Sequence, residues 1–375
     1  MLLTLEQRQV QELAREFAEG ELRPHAARWD REGALPPALR RQLADLGFWG
    51  LALGEDVDGL GLDAVTVALV LEELARGETG VALWVNIHAW VAAPLLAEAA
   101  PAPVRDRWLP AAARGETVLA FALTEPDAGS DARALTTTAD PVEAGWRLRG
   151  RKTWVTQGAQ ADAAVVFARS PDGIDAFLVP TNAPGYRVGE RERTLGHRTL
   201  EIVTVDLEGV TVPGDHRLGA PGAGWALAKQ ALIRGRLGAA AIATGLAQAA
   251  LEHAVRYATE RTQFGRPIAE FEGMQFKLAD MAIRVEASRA LTRRAAAALT
   301  AADPAAPTLA SMAKTFASEA AMAVTTEAIQ VFGGYGYMRD YPVERLFRDA
   351  KATEIYEGAN DIQRVLIARV LTHQP

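Results

Sequence analysis

The stretch "EIVTVDLEGVTVP", Glu201–Pro213, decides the fold. Ile202, Val203, Val205 and Leu207 stand against Thr204 and Asp206, which suggests a half-buried antiparallel strand. Upstream, "GWRLRGRKTWVT" (145–156), "AAVVFARS" (163–170) and "DAFLVP" (175–180) are short and β-rich. Turns such as Pro171-Asp172-Gly173 separate them.

Outside this block the period is helical. Thr4 and Gln7 form a capping-box pattern ahead of "RQVQELAREFAEGEL", and residues 4 to about 113 recur at three and four, as in Leu43, Leu46 and Trp49. After Pro213 a second helical region begins. Ile242, Leu246, Ala250, Ala254 and Tyr257 form one stripe, and Phe276, Leu278 and Met281 continue on the next helix. Gly238, Ala239, Ala240, Ala241 and Gly245 suit close helix packing, and "AADPAAP" separates two long helices near Pro304. The order is helices, a compact β unit, then helices. Strands do not alternate with helices, which argues against a doubly wound nucleotide-binding sheet. The predicted class is α+β and multidomain: a helical domain over 1–115, a central antiparallel β-barrel-like domain over 116–222, and a C-terminal four-helix bundle over 223–375.

The chain has 375 residues, 49% hydrophobic and 23% charged, ordinary for a soluble globular protein. A net charge of −7 gives no electrostatic case for nucleic acid. Of the 40 basic residues only five are lysine, and cysteine is absent, which excludes disulfides and thiolate chemistry. His25, His88, His197, His216, His253 and His373 never fall at metal-ligand spacing, so no metal is expected. The most apolar window, "ETGVALWVNIHAWVAAPLLAEAA", contains Asn86, His88 and Pro94 and reads as a buried helix rather than a membrane span. No basic n-region precedes an apolar core at the N-terminus, and a cytoplasmic location is expected.

Two glycine clusters have bland readings. "GAPGAG" (219–224) has GxxGxG spacing outside a strand–turn–helix unit and reads as a turn that starts a helix. Gly333 and Gly334 in "FGGYGYMRDYPVE" form a helix C-cap or admit a ligand close to the backbone. "FALTEPDAGSD" (121–131) joins the helical region to the β unit. Thr124, Ser130 and free backbone N–H groups there can hold an anionic cofactor, whereas an Asx-type turn at Asp127 and Gly129 explains the same letters without a ligand. Glu357, alone in "IYEGAND" (355–361), reads as a charge before a helix or as a functional base.

Taken in order, "LTEPDAGSD", "RKTWVTQGA", "RTQFGRPIAEF" with "QFKLADM", "IQVFGGYGYMRDYPVERLFRDAK" and "IYEGANDIQR" resemble the successive signatures of the acyl-CoA dehydrogenase family, over essentially the whole chain. The resemblance implies non-covalent FAD between the β domain and the bundle, in a homotetramer (a dimer of dimers) whose flavin sites borrow residues from a neighbouring subunit. It places Leu123 and Thr124 at the flavin edge, Ser130 near the pyrophosphate, Trp154 over a ring face and Thr156 near N5. Arg261, Phe264, Gln330, Gly333 and Gly334 would reach the FAD of the partner, and Ala359 would lie at the cofactor. Ser130, Arg236 and Tyr356 would contact substrate. Glu357 corresponds to the family's base, which removes the α-proton of an acyl-CoA while a β-hydride leaves for flavin N5. Gly358 shapes the backbone that presents an oxyanion donor. The product would be a trans-2-enoyl-CoA, with electrons passed to an electron-transferring flavoprotein. The alternative base position of some family members is Gly235 here, beside Arg236, which leaves the role to Glu357.

Four departures stand out. Ala359 replaces a usual threonine, Glu272 a usual glutamine, and Ile233 an aspartate that contacts CoA, and the loop "LGHRTLEIV" (195–203) is short. Two tryptophans, Trp84 and Trp90, on the helix lining the acyl cavity in the family, either fill space and favour short or branched chains or face the core. Competing functions are an oxidase or monooxygenase on the same fold, and a non-catalytic helical scaffold.

Overall fold

The computed structural model describes residues 2–373. The sheet divides the chain. Its strands are β1 (Leu119–Ala122), β2 (Thr138–Val142), β3 (Gly145–Thr156), β4 (Ala163–Ser170), β5 (Gly173–Pro180), β6 (Tyr186–Arg191), β7 (Ile202–Val212) and β8 (Arg217–Leu218). They lie in the order β6-β7-β3-β2-β4-β5-β8, with β1 also on β4. The opening strand β7 pairs antiparallel with both β3 and β6. Val203, Val205, Leu207, Val210 and Val212 are buried along it, while Thr204 and Asp206 are half-buried. Pairing is not antiparallel throughout: β1 and the start of β2 run parallel to β4.

Ahead of the sheet come α1 (Leu5–Phe17), α2 (Ala26–Glu32), α3 (Ala38–Asp45), α4 (Ala64–Gly77), α5 (Thr79–Val85), α6 (Ala93–Ala99) and α7 (Ala102–Ala113). The capping box opens α1, Thr4 and Gln7 exchanging two 3.1 Å backbone-to-side-chain bonds. α3 ends at Asp45, so Trp49 does not continue its helical period as expected; it sits in a turn, its indole N–H held by the Arg40 carbonyl at 2.8 Å. A π-helical turn, Asn86–Ala92, joins α5 to α6. The continuous segment Thr79–Ala99 is long and apolar enough to cross a membrane, yet its most apolar window is 89% buried inside the fold. His88 serves it as a neutral core ligand for backbone: Nδ1 accepts from the Leu119 N–H at 2.9 Å, and burial holds its pKa down to about 4.

After the sheet come α8 (Gly224–Glu260), a small hairpin of β9 (Thr262–Gln263) and β10 (Arg266–Pro267), α9 (Glu272–Thr300), α10 (Ala306–Phe332), α11 (Pro342–Thr353) and α12 (Asn360–Leu371). "GAPGAG" is a helix-starting turn: Gly222, at φ +75°, donates its N–H to Asp175 Oδ1 at 2.7 Å just before α8. Ile242, Leu246, Ala250 and Ala254 are fully buried, and Tyr257 stacks on Phe332 with ring centroids 4.0 Å apart. A Cβ at Gly245 would meet the Glu72 carbonyl, so α4 and α8 touch through backbone. One stripe residue departs. Phe276 is 62% exposed, on the outer face of α9 beside a groove of about 510 Å³ shared with α10.

Candidate active site

Glu357 lies in the turn between α11 and α12 with φ +57°, followed by Gly358 at φ +92°. A glutamate in the left-handed region costs about 1–3 kcal/mol and persists where its surroundings over-determine it. Here they do. Lys314 Nζ donates to the Gly358 carbonyl at 3.0 Å, and Gln363 Nε2 to the carbonyls of Gly358 and Glu357 at 3.0 and 3.3 Å. Arg236 Nε lies 3.5 Å from the Glu357 carbonyl. The side chain is thereby aimed at α8, where Gly235 makes room for it: a Cβ at 235 would collide with the carboxylate. The reading of Glu357 as a dipole-complementing charge on α12 does not describe this geometry.

The residue as a whole is half-buried, but its carboxyl group is enclosed by protein, and that desolvation raises its pKa to about 7 against the pull of Arg236 and Lys314. Burial also lowers the Arg236 pKa, with Glu357 opposing the shift. Neither the Glu357 nor the Gly358 N–H donates to a protein acceptor among the described residues. The buried Tyr356 hydroxyl has no partner, and its ring is 6.0 Å from that of His197. His197 lies buried with both ring nitrogens unpartnered, and desolvation keeps its pKa below the ordinary value.

Leu123, Thr124, Trp154 and Thr156 form a second group. The Thr124 carbonyl accepts from the Thr153 N–H at 3.0 Å, which lays the 123–131 loop along the end of β3. A bulge between Lys152 and Val155 puts Trp154 at φ +55° and turns its indole outward, 60% exposed. The loop closes through backbone bonds between Glu125 and Ala128, not through an Asx-type turn at Asp127. Beneath it, Lys152 is fully buried and donates to Glu125 Oε1 at 2.7 Å and the Leu123 carbonyl at 3.0 Å. Glu125 also takes the N–H groups of Thr136 and Thr137, and these bonds hold its pKa down to about 2.

A third group sits at the end of the bundle. The Arg261 guanidinium lies 5.6 Å over the Tyr335 ring, in the turn that starts with Gly333 and Gly334, and Phe264 is 94% exposed on the β9–β10 hairpin. Among the described residues no hydrogen bond or ion pair joins Arg261, Phe264, Gln330, Gly333 or Gly334 to the Trp154 group. Gly333, at φ +58°, is the helix cap, and no atom stands within 4 Å of a Cβ added at either glycine.

The departures have local reasons. Glu272 is the first residue of α9, where a carboxylate suits the helix N-terminus. Ile233 is half-buried on α8. The 195–203 loop is pinned on α11: the His197 N–H donates to Asp349 Oδ1 at 2.6 Å, and a Cβ at Gly196 would meet the Arg348 backbone. Ala359 caps α12 without a side-chain bond. Trp84 packs edge-on against Trp49 at 4.8 Å and belongs to the core, while the Trp90 indole donates to the Arg234 carbonyl at 2.9 Å, next to Gly235. Sequence reasoning missed Lys314, Gln363, His197 and Lys152; only Lys314, a lone cation in "TLASMAKTFASEAAMAV", left a trace.

The donor set suits a flavin dinucleotide. The hydroxyls of Thr124, Ser130 and Thr156 engage no protein partner among the described residues, and Arg261 has no carboxylate partner there. No group of three or more His, Asp or Glu poised for a metal exists among the described residues.

Comparison with known proteins decides the family. Models of the acyl-CoA dehydrogenase N-terminal, middle and C-terminal domains match residues 4–116, 120–210 and 222–372. The chain belongs to the acyl-CoA dehydrogenase family. An acyl-CoA dehydrogenase of Bacillus subtilis is 42% identical over 380 residues, covering 99% of each chain. The mitochondrial short-chain specific acyl-CoA dehydrogenase of Mus musculus is 42% identical over 366 residues, 96% of this chain and 88% of that one. The structure of butyryl-CoA dehydrogenase from Megasphaera elsdenii superposes with a TM-score of 0.96 at 37% identity, covering 99% of both chains. Acyl-CoA dehydrogenases are FAD flavoproteins and oxidoreductases, and FAD-dependent acyl-CoA dehydrogenation is the chemistry of this chain.

Proposed function

We propose that this acyl-CoA dehydrogenase converts a short-chain acyl-CoA to its trans-2-enoyl-CoA with Glu357 as the base. The observation that carries the reading is the Glu357 carboxylate, enclosed against Gly235 with a pKa of about 7. A carboxylate with that pKa is ionised enough at neutral pH to take a proton and basic enough to hold it. FAD, when bound, supplies the two-electron acceptor for the hydride that leaves the β-carbon. Glu357 takes the α-proton. The free N–H of Glu357 donates to the thioester oxygen as negative charge develops there, an electrostatic stabilisation that desolvation strengthens. Arg236 and Tyr356 border the same turn and contact substrate.

Leu123, Thr124, Ser130, Trp154 and Thr156 would hold the flavin and its phosphates. Arg261, Phe264, Gln330, Gly333 and Gly334 would serve the flavin of a second subunit in a homotetramer, and Ala359 would leave one hydroxyl contact unmade. The exposure of Phe264, at 94%, together with Phe276, Ile283 and Val365 on the bundle, supports the assembly. An electron-transferring flavoprotein is the proposed electron acceptor. A short acyl chain is supported by the Mus musculus and Megasphaera elsdenii relatives and by Trp90, whose indole N–H is bound to the Arg234 carbonyl of α8, one residue before the Gly235 that faces the base.

Anaerobic titration of the yellow holoenzyme tests the reading. Butyryl-CoA should bleach the flavin faster than C12 or C16 acyl-CoAs. A flavin left oxidised by every saturated acyl-CoA from C4 to C16 contradicts it.

A further inference from the structure

The chain is poor in lysine, five against 35 arginines. Two of the five, Lys152 and Lys314, are fully buried, and each grips the backbone of a loop assigned to the reaction. Lys152 already has a full ion-pair partner in Glu125. Lys314 has no carboxylate within ion-pair distance among the described residues, and its charge is spent on the turn that carries Glu357.

We propose that Lys314 is a positioning residue for the dehydrogenation: its ammonium holds the strained Glu357–Gly358 turn and sets how readily the Glu357 carboxylate takes the α-proton. This rests on the assignment of Glu357 as the base.

Two acceptors, on the residues either side of Ala359, meet the ammonium: the Gly358 carbonyl at 3.0 Å and Asn360 Oδ1 at 2.8 Å. Asn360 is itself fixed by α10, its Nδ2 donating to Ser318 Oγ at 3.0 Å, one helical turn beyond Lys314. One face of α10 therefore holds the Gly358 backbone and the Asn360 side chain, the two residues that flank Ala359. A compact ammonium with three donors can serve two acceptors from within a closed core, whereas the planar fork of an arginine needs more room and a different direction.

The charge has a second effect. The ionisable groups facing Lys314 are Glu357 and Glu354 from the segment after α11, Arg236 from α8 and Glu319 from its own helix; those facing Glu357 are Arg236 and Lys314. Burial disfavours both charged forms, so Lys314 is brought down to about 8 while Glu357 rises to about 7. Without the ammonium, only Arg236 would oppose desolvation of the carboxylate. The base would then titrate higher, and its backbone would lose one of the donors that hold the left-handed conformation.

The test compares FAD-loaded wild type, K314M and K314Q in anaerobic flavin reduction by butyryl-CoA across pH 5.5–9. Binding of 2-butenoyl-CoA, read from the flavin spectrum, serves as the control for an intact site. In wild type the rate should reach half its plateau near pH 7. In K314M the midpoint should move up by about one pH unit, which alone lowers the rate at pH 7 about fivefold, and the plateau should fall about twofold as the turn loosens, with butenoyl-CoA affinity changed less than about threefold. K314Q, which keeps a hydrogen-bond donor without the charge, should show the same upward midpoint with a smaller loss of plateau rate. Wild-type midpoints and rates in both variants overturn the proposal. Should K314M fail to fold or to hold FAD, the K314Q profile decides alone. E357Q in the same assay separates the two layers: normal reduction by E357Q refutes the base itself, whereas an inert E357Q beside unaltered Lys314 variants refutes only the positioning role.

Discussion

Gly235→Ala puts a methyl group where the Glu357 carboxylate now rests. The added Cβ would overlap both carboxylate oxygens and Cδ. The Glu357 backbone is held by Gln363 and neighboured by Lys314, so the side chain must yield rather than the turn. Relieving the overlap requires a displacement on the order of 1 Å, and a misplacement of that size costs about 10²-fold in rate, or roughly 2.7 kcal/mol of barrier. Helix propensity works in the other direction, since alanine within α8 is favoured over glycine by about 1 kcal/mol. The variant is therefore expected to fold, bind FAD and melt within a few degrees of wild type. Stopped-flow anaerobic reduction by butyryl-CoA is the assay. A roughly hundredfold slower phase at unchanged FAD content is the expected result; a rate within about threefold of wild type would refute the reasoning that Gly235 exists to seat the base.

The pH dependence of stability carries a definite sign. Glu357 keeps its proton in the folded apoprotein up to about pH 7, well above the ordinary carboxylate value, so the folded state binds more protons than the unfolded one in between. Its contribution is full below the ordinary pKa and is lost as pH rises through about 7; E357Q should therefore gain melting temperature over wild type at pH 8 but not at pH 4, and equal differences at both would contradict the shift. Lys152→Met leaves Glu125 buried without its cation, which should cost about 3–5 kcal/mol in chemical denaturation and reduce FAD retention. Unchanged denaturation and flavin content would remove Lys152 from the support of the 123–131 loop. Trp90→Ala removes the indole bound to the Arg234 carbonyl, next in sequence to Gly235, and should extend flavin bleaching toward C8–C12 acyl-CoAs, a shift that an unaltered chain-length profile would exclude.

Much of this was legible in the sequence because it depends on local pattern. The alternation of 201–213 reports a strand with one buried face, and the capping box and the "GAPGAG" turn need only neighbouring residues. What escaped depends on contacts distant in sequence. The parallel pairing of β1 with β4 is a choice between partners that the short run "LAFA" does not encode. Phe276 fits the helical period, but which faces of α9 are covered is set by α8 and α10. Trp154 and Glu357 hold left-handed backbone that neither residue type announces; a bulge imposes it on the first, and bonds from α10, α12 and the region of α8 accompany it at the second. Glu357 was legible as a candidate base, but its direction toward Gly235 and the buried lysine beneath it were not.

The most direct measurement is anaerobic reduction of Glu357→Gln holoenzyme by butyryl-CoA. The amide is nearly the same size and cannot accept the α-proton. E357Q should bind FAD and show the spectral shift of acyl-CoA binding while its flavin stays oxidised over many wild-type turnover times. Bleaching at the wild-type rate would contradict Glu357 as the base.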